Sequence, residues 1–487
     1  MIKLSDLLFG VSIKSVVGDI TSVMVNKVEF DSRKVSDSDL FIAIKGVNVD
    51  GHSFIDLSVA DGAKSVIVEE IPEKINKEIC YVQVDCSSSS MSVISSNYYD
   101  NPSSKIKLVG VTGTNGKTTI VTLLHQLFSE LGYPTGMLST IENKIGTRSV
   151  ESTHTTGDSL QINKLLSEMV LAGCEYCFME VSSHAIHQNR VSSLVFEGGI
   201  FTNITHEHID YHKDFKEYIS VKKRFFNNLK TSAFALTNKD DKNGNVMISN
   251  TKARKITYSL KSMADYKCKM LESRLDGMLL NIQNHEIWVK IIGEFNAYNL
   301  LAIYSTSVEL GLDKDRVLER ISILNPAEGR FHTIRNSENI TGIVDYMHTP
   351  DAYENVLSTI NSIRTNTEKL IVVFGCGGDR DAEKRPKMTA IACNMSDQVI
   401  ITADNPRTEK IEDIISDMTV KLDPVQKKKV LVITDRSQAI KTACTLASEG
   451  DIVLLAGKGH EKYQEIEGVK HYFDDVEELV ESLNINQ

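Results

Sequence analysis

Residues 107–119 read K-L-V-G-V-T-G-T-N-G-K-T-T, an apolar strand that runs into a glycine-bearing loop ending on Lys117, Thr118 and Thr119. Gly113 and Gly116, flanking Thr114 and Asn115, allow backbone N–H groups to turn inward around an anion. Lys117 adds a point charge for terminal phosphates, and the Thr118 hydroxyl suits an accompanying Mg2+. The next run, I-V-T-L-L-H-Q-L-F-S-E-L-G, has helical apolar spacing and closes on Gly132, so the helix start faces the loop. Val111 stands where the strict G-x-x-x-x-G-K-[ST] pattern has its first glycine. Strand, loop and helix together predict a nucleoside triphosphate site.

Further chemistry follows along the chain. Thr155-Thr156-Gly157 is a small-residue turn with N–H and hydroxyl donors for phosphate or carboxylate. Glu180 ends an apolar run, where a phosphate-loop protein places a carboxylate for its metal, since ligands gather at strand C-termini. His206, His208 and His212 crowd one segment without the H-E-x-x-H spacing of a helical zinc site, and one histidine on a phosphate-bound Mg2+ is reasonable. The basic run Lys222-Lys223-Arg224 follows. Asn238-Lys239-Asp240-Asp241 satisfies the guanine-reading N-K-x-D, but residues 158–237 lack the D-x-x-G that a switch GTPase needs, so that reading is set aside. Cys174 and Cys177 form a C-x-x-C with no second pair, and packing explains them best.

The elements that must hold these groups fill 487 residues, a length that suggests about three domains. A hydrophobic share of 41% allows several cores. Sixty-five acidic against 54 basic residues give −11, which argues against nucleic acid or an anionic membrane surface. No apolar run approaches the roughly 18 residues of a membrane span, and the start is too quickly polar for a signal peptide. Eight scattered cysteines fit a reducing compartment. A cytoplasmic, monomeric protein is expected. Residues 1–105 carry short β-like runs and then a Ser-rich helix with a linker; 106–333 alternate strands and helices as an open parallel sheet. In 334–487, apolar runs at 342–345, 370–374, 398–402, 429–433 and 452–456 predict a second doubly wound sheet.

Taken together, T-G-T-N-G-K-T-T, E-V-S-S-H at 180–184, F-T-N-I-T-x-E-H-I-D-Y-H at 201–212, G-E-F-N-A-Y-N at 293–299, G-R-F at 329–331, D-Y-M-H-T-P at 345–350 and G-C-G-G-D-R-D at 375–381 resemble the Mur ligase family over essentially the whole chain. Asp31-Ser32-Arg33 and Gly51-His52 resemble the members that add the third peptide residue. The resemblance implies an α/β protein of three domains: an N-terminal UDP-substrate domain (1–105), a central phosphate-loop parallel-sheet ATPase domain (106–333) and a C-terminal Rossmann-like domain (334–487). It implies that ATP phosphorylates the free glutamate carboxylate of UDP-N-acetylmuramoyl-L-alanyl-D-glutamate, and that an amine then displaces the phosphate. Thr118 and Glu180 would hold one Mg2+; Glu180, His208 and a carbamylated Lys222 would serve a second. Asn296, Asn299, Arg330 and Asp345 would meet the nucleotide, with His348 a weaker candidate. Ser32 and Asn48 would face uridine; Thr155, Thr156, Ser182, Gln188 and Arg190 would position the muramoyl-dipeptide. Met347, Ser38 and His154 depart from the family's usual alanine, glycine and asparagine.

The amino acid added is expected at the third sheet. Asp404-Asn405-Pro406-Arg407 follows an apolar run, and Asn-Pro gives Arg407 a stiff base. A guanidinium grips carboxylate in bidentate fashion, and meso-diaminopimelate carries one carboxylate more than lysine. D-N-P-R resembles the motif of diaminopimelate-adding members. Arg380 would take carboxylate, and Glu461, with Gly457 in A-G-K-G-H-E, the far ammonium. L-Lysine as the added residue and folylpolyglutamate synthetase chemistry are the alternatives; residues 1–105 argue against the second.

Overall fold

The computed structural model describes residues 1–46, 49–152, 154–205, 211–365 and 367–483. Three sheets organise them. The first has five strands in the order Ile13–Val17, Cys80–Val84, Ser65–Val68, Leu40–Ile42, Val28–Glu29, parallel except for the first pair. The run 23–30 forms two short strands rather than one, because Lys27 N–H is drawn to the Asp39 carboxylate and Asn26 N–H to Ser38 O. The Ser-rich segment is the helix Ser87–Tyr98, whose Ser90, Ser92, Ser95 and Ser96 are buried. Small side chains let it lie close against the central helix Ser159–Leu171. Ser193 N–H donates to Ser92 Oγ at 3.1 Å, fastening the first unit to the second.

The central sheet has eleven strands and differs from the all-parallel expectation. Strands Thr135–Leu138, Tyr176–Glu180, Lys107–Thr112, Gly198–Phe201, Phe234–Asn238, Arg254–Ser259 and Tyr266–Arg274 are parallel neighbours in that order. Antiparallel hairpins extend both ends, through Glu142–Ile145 and Arg148–Glu151 on one side and Gly277–Ile282 and His285–Val289 on the other. Edge strands have one neighbour to find, and a short hairpin supplies it without a crossover helix. The parallel strands all exit on one edge, which gathers Thr112, Glu180, Phe201 and Asn238.

The third sheet takes up the chain at His332: His332–Arg335, Thr341–Asp345, Ile452–Ala456, Leu370–Phe374, Gln398–Ile401, Val430–Val432. Only its first pair is antiparallel. Apolar clusters cover both faces, which is why these strands read as unbroken hydrophobic runs. Beneath the strand exits lies a fully buried ion pair. Arg436 Nε and Nη2 donate to the Asp475 carboxylate at 2.7 and 2.6 Å, while Nη1 and Nη2 reach the carbonyls of Ala403 and Ala456 at 3.3 and 3.2 Å. Its two terminal nitrogens tie two strand exits together, and Nε with Nη2 fastens them to the start of the helix Asp475–Ser482. Asp475→Ala would leave the cation buried and unpaired, so a loss of about 3–5 kcal/mol is expected from urea unfolding. A loss below about 1 kcal/mol would put the pair at the level of a surface salt bridge.

Candidate active site between the central and C-terminal sheets

The phosphate loop is held by its neighbours. Gly116 takes φ 86° just before the helix Lys117–Glu130, and a Cβ there would stand 2.6 Å from Asn299 Oδ1. Only glycine suits that turn. Thr114 N–H donates to Asn203 O and Asn115 N–H to Asn203 Oδ1, both at 2.9 Å, and Thr202 Oγ1 donates to Asn115 O. The N-K-x-D residues brace this same exit: Asn238 Nδ2 donates to Thr202 O, and Asp241 accepts from Ile204 N–H, both at 2.9 Å. The motif is therefore engaged as scaffold. Cys174 and Cys177 are buried free thiols in the core, as packing predicts.

Charge converges on the loop. Lys117 Nζ donates to Gly113 O at 2.9 Å and Thr114 O at 2.7 Å. Lys222, 1% exposed, donates to the same Gly113 carbonyl at 3.0 Å and lies over the Tyr218 ring. Glu180, also 1% exposed, accepts from Thr118 Oγ1 at 2.9 Å and from Thr140 N–H and Oγ1 at 2.8 and 3.1 Å, all on Oε1. Among the described residues its Oε2 is buried with no hydrogen-bond partner. A buried, unsatisfied carboxylate oxygen beside a threonine hydroxyl fits a hard cation such as Mg2+. Among the described residues no three His, Cys, Asp or Glu side chains gather as a metal cage. His208 lies outside the described residues.

A cavity of about 600 Å³ opens between the two sheets. Asn115, Gly116 and Thr119 line it from the loop, Asn296 and Asn299 from the helix Glu294–Glu309, and Arg330, Asp345 and His348 from the C-terminal side. Two contacts cross it: Arg330 Nη2 donates to Thr118 Oγ1 at 3.2 Å, and Asn115 Nδ2 to Asp351 Oδ2 at 2.9 Å. Arg330 stacks on Tyr346, 4.6 Å from the ring centre. Burial pushes the Asp345 carboxyl up to about 6, against the pull of Arg330 and the Phe331 N–H.

On the other flank, four of the muramoyl candidates form one network. Thr156 Oγ1 donates to Glu180 O and accepts from Ser182 N–H; Arg190 Nη1 donates to Thr156 O, and its Nε and Nη2 to Gln188 Oε1. Gln188 Nε2 in turn donates to Tyr211 Oη at 3.0 Å. Thr155 is half-buried next to Thr156. Ser32 belongs to the N-terminal unit, in the turn Ser32–Lys34, and Asn48 lies outside the described residues.

At the exits of the C-terminal sheet, Asp404, Asn405, Gly457 and Glu461 meet. Asn405 Nδ2 donates to Glu461 Oε2 at 2.8 Å, and a Cβ on Gly457 would stand 2.9 Å from Asp404 Oδ2. Arg407 has φ 53°, in the left-handed region. Its Nη1 donates to Gly378 O at 2.7 Å, its Nε stands 3.5 Å from Glu465 Oε2, and its backbone pairs with the strand Tyr463–Ile466. Its carboxylate neighbour is thus Glu465 rather than Asp404. Pro406 packs its carbonyl against Gly378, and Arg380 is exposed on the facing glycine loop.

The chain matches the Mur ligase catalytic domain over residues 25–105, the Mur ligase middle domain over 111–306 and the Mur ligase glutamate ligase domain over 329–459. It is 53% identical over 485 residues to the UDP-N-acetylmuramoyl-L-alanyl-D-glutamate--2,6-diaminopimelate ligase of Cytophaga hutchinsonii, covering 99% of both chains. The chain belongs to the Mur ligase family. The Bacteroides fragilis ligase of the same name is 48% identical over 99% of both chains. A solved structure of a UDP-N-acetylmuramoyl-L-alanyl-D-glutamate--2,6-diaminopimelate ligase superposes with a TM-score of 0.70 at 33% identity, over 99% of each chain.

Within this Mur ligase frame two departures have a structural account. Ser38 adopts φ 63°, the conformation for which glycine is the relaxed choice. Met347 is 1% exposed and fills part of the C-terminal core. His154 is exposed. Residues that sequence reasoning missed are Thr140, Asn203, Tyr211 and Asp351. Thr140 and Asn203 follow strand ends and were findable by position; the other two act through tertiary approach alone.

Asp345 gives the site a pH signature. Its carboxyl titrates near 6 when folded and about 4 when unfolded, so the folded protein holds the extra proton between those values. Stability from this group is therefore present at low pH and lost as pH rises through that window. Urea unfolding of wild type and Asp345→Asn at several pH values should show the wild type losing about 2–3 kcal/mol more across it. Parallel curves would contradict this.

Proposed function

We propose that this chain is the ATP-dependent amide ligase that adds meso-2,6-diaminopimelate to UDP-N-acetylmuramoyl-L-alanyl-D-glutamate, a cytoplasmic step of peptidoglycan precursor synthesis. One observation carries it. The phosphate loop, with the unsatisfied buried carboxylate of Glu180 beside it, opens on a cavity closed from the C-terminal side by Arg330, Asp345 and His348, and the strand exits of that same C-terminal sheet gather charges of both signs in Lys458, Asp404 and Glu461. A switch or motor has no need of the second pocket, and the full-length relatives bear the ligase name.

The chemistry follows from the groups present. A carboxylate is a poor acyl donor at neutral pH. An oxygen of the glutamate side chain attacks the γ-phosphorus of ATP, and ADP leaves. The neutral amine of the diamino acid attacks the acyl carbon, phosphate leaves with the C–O bond electrons, and the nitrogen gives up its remaining extra proton to the departing phosphate or to water. Lys117 sits on the loop to offset the charge of two anions brought together. Arg330 and Asp345 close on the nucleotide from the far side, and Asn296 and Asn299 from its adenine side. Thr156, Ser182, Gln188 and Arg190, with Thr155, hold the dipeptide, and Ser32 and Asn48 the uridine. Thr118 and Glu180 would hold one Mg2+, and Glu180, His208 and carbamylated Lys222 a second; bound there, the ions withdraw charge from the phosphate oxygens. Approach of the sheets excludes water from the acyl phosphate. The protein works as a monomer, and no helix among the described residues is long and apolar enough to cross a membrane.

Two measurements test this. Phosphate release should require both the UDP-substrate and a diamino acid, with meso-diaminopimelate preferred over L-lysine and L-ornithine; Arg407→Ala should erase that preference. Equal use of lysine by the wild type would sink the specificity. Lys222→Ala should lose activity by about a thousandfold or more, while Lys223→Ala stays near wild type. Full activity in Lys222→Ala would remove this lysine from the mechanism.

A further inference from the structure

The most deeply placed cation of the C-terminal pocket has no role in the reading above. Lys458, in A-G-K-G-H-E, is 0% exposed. Its ammonium donates to Asn405 Oδ1 at 2.9 Å and to Tyr463 O at 2.6 Å, and stands 3.3 Å from Asp404 Oδ1 and 4.0 Å from Glu461 Oε2. Burying an ammonium this completely is costly, so the site must use it. Its partners are the very residues expected to meet the incoming amino acid.

Asn405 explains the arrangement. Its Oδ1 accepts from Lys458 and from Glu465 N–H at 3.0 Å, while its Nδ2 donates to Glu461. A cation on one side and an anion on the other leave the amide a single orientation, with its donor face on Glu461. Burial, and next Asp404, push the Glu461 carboxyl up, and Lys458 pulls it back. Two carboxylates against one internal ammonium leave the group with one net negative charge. Arg407, with Glu465 as its own carboxylate, and Tyr346, whose hydroxyl donates to Glu461 Oε1 at 3.4 Å, complete the surroundings.

Resting on the diaminopimelate-ligase reading, we infer that Lys458 is a positioning residue: a built-in counter-ion that orients Asn405 and leaves the Asp404–Glu461 pair one net negative charge, matched to the single far ammonium of the diamino acid. It acts through its neighbours: its ammonium is fully buried, with two hydrogen bonds to Asn405 Oδ1 and Tyr463 O and Asp404 beside it.

The test is a steady-state comparison of full-length wild type and Lys458→Met, a side chain of similar length without charge, varying each substrate in turn. The KM for meso-diaminopimelate should rise about tenfold to a hundredfold, while those for ATP and the UDP-substrate stay within about twofold. All three rising together, or none, would overturn the assignment. Adding Asp404→Asn restores the charge balance, so the double variant's KM should lie well below the product of the two single effects. This arm also serves if Lys458→Met alone folds poorly, because the double variant removes the unpaired carboxylate; a KM equal to that product, or a double variant that folds no better, overturns the role. Failure of the wild type to use any diamino acid would instead overturn the functional reading, before a variant is compared.

Discussion

Two lysines donate to one carbonyl oxygen, that of Gly113, and much of the central unit is arranged around this crowding. Bound to one oxygen at 2.9 and 3.0 Å, the two ammoniums stand at most about 6 Å apart, where like charges repel by roughly 3 kcal/mol or more at an effective dielectric near 20. Lys222 is buried on the face of a helix, over the Tyr218 ring, and the half-buried Lys117 is turned back onto the loop from the first position of another. The loop is consequently a place that favours added negative charge, whether from phosphate or from conversion of one lysine to an anion. Glu180 stands beside it as the fixed carboxylate. Polar residues around the loop serve the same end. Asn203, Asn238 and Asp241 spend their hydrogen bonds on keeping the carbonyls where the cations need them.

Across the cavity the two sheets meet through few groups, and these come from the loop and from strand ends. Asn115 with Asp351, and Thr118 with Arg330, put the same short loop in contact with both sides of the cavity. Gly329 and Gly459 pack backbone on backbone at that junction: a Cβ on Gly329 would stand 2.1 Å from His460 N. Apolar packing joins the same two units, with Ile292 and Phe295 of the central unit set against Phe331 and Met347, so polar contacts across the cavity lie beside an apolar hinge.

Local signals made part of this legible in the sequence. The strand, loop and helix at 107–130 announce themselves because every element is continuous in the chain, and the unbroken apolar runs of the third sheet declare strands buried on both faces. The hairpins that make the central sheet mixed were not legible, since nothing in Glu142–Ile145 or Gly277–Ile282 says which edge will take them. D-N-P-R marked the strand exit where Asp404 and Asn405 meet Gly457 and Glu461, but the partner of Arg407 did not follow from the motif. Glu465 comes from a hairpin more than fifty residues on. Lys458 was passed over for the same reason: a lysine between glycines looks like a solvated turn until tertiary packing closes over it.

Arg407 holds a backbone conformation that suits glycine or asparagine, at a cost of about 1 kcal/mol for a residue with a long side chain. Drift toward stability alone would tend to replace it. On the proposed ligase reading, an arginine there serves recognition at the expense of folding, and it ties substrate choice to a backbone angle. On that reading, changing the amino acid accepted is a matter of reshaping a turn as well as of exchanging a charge.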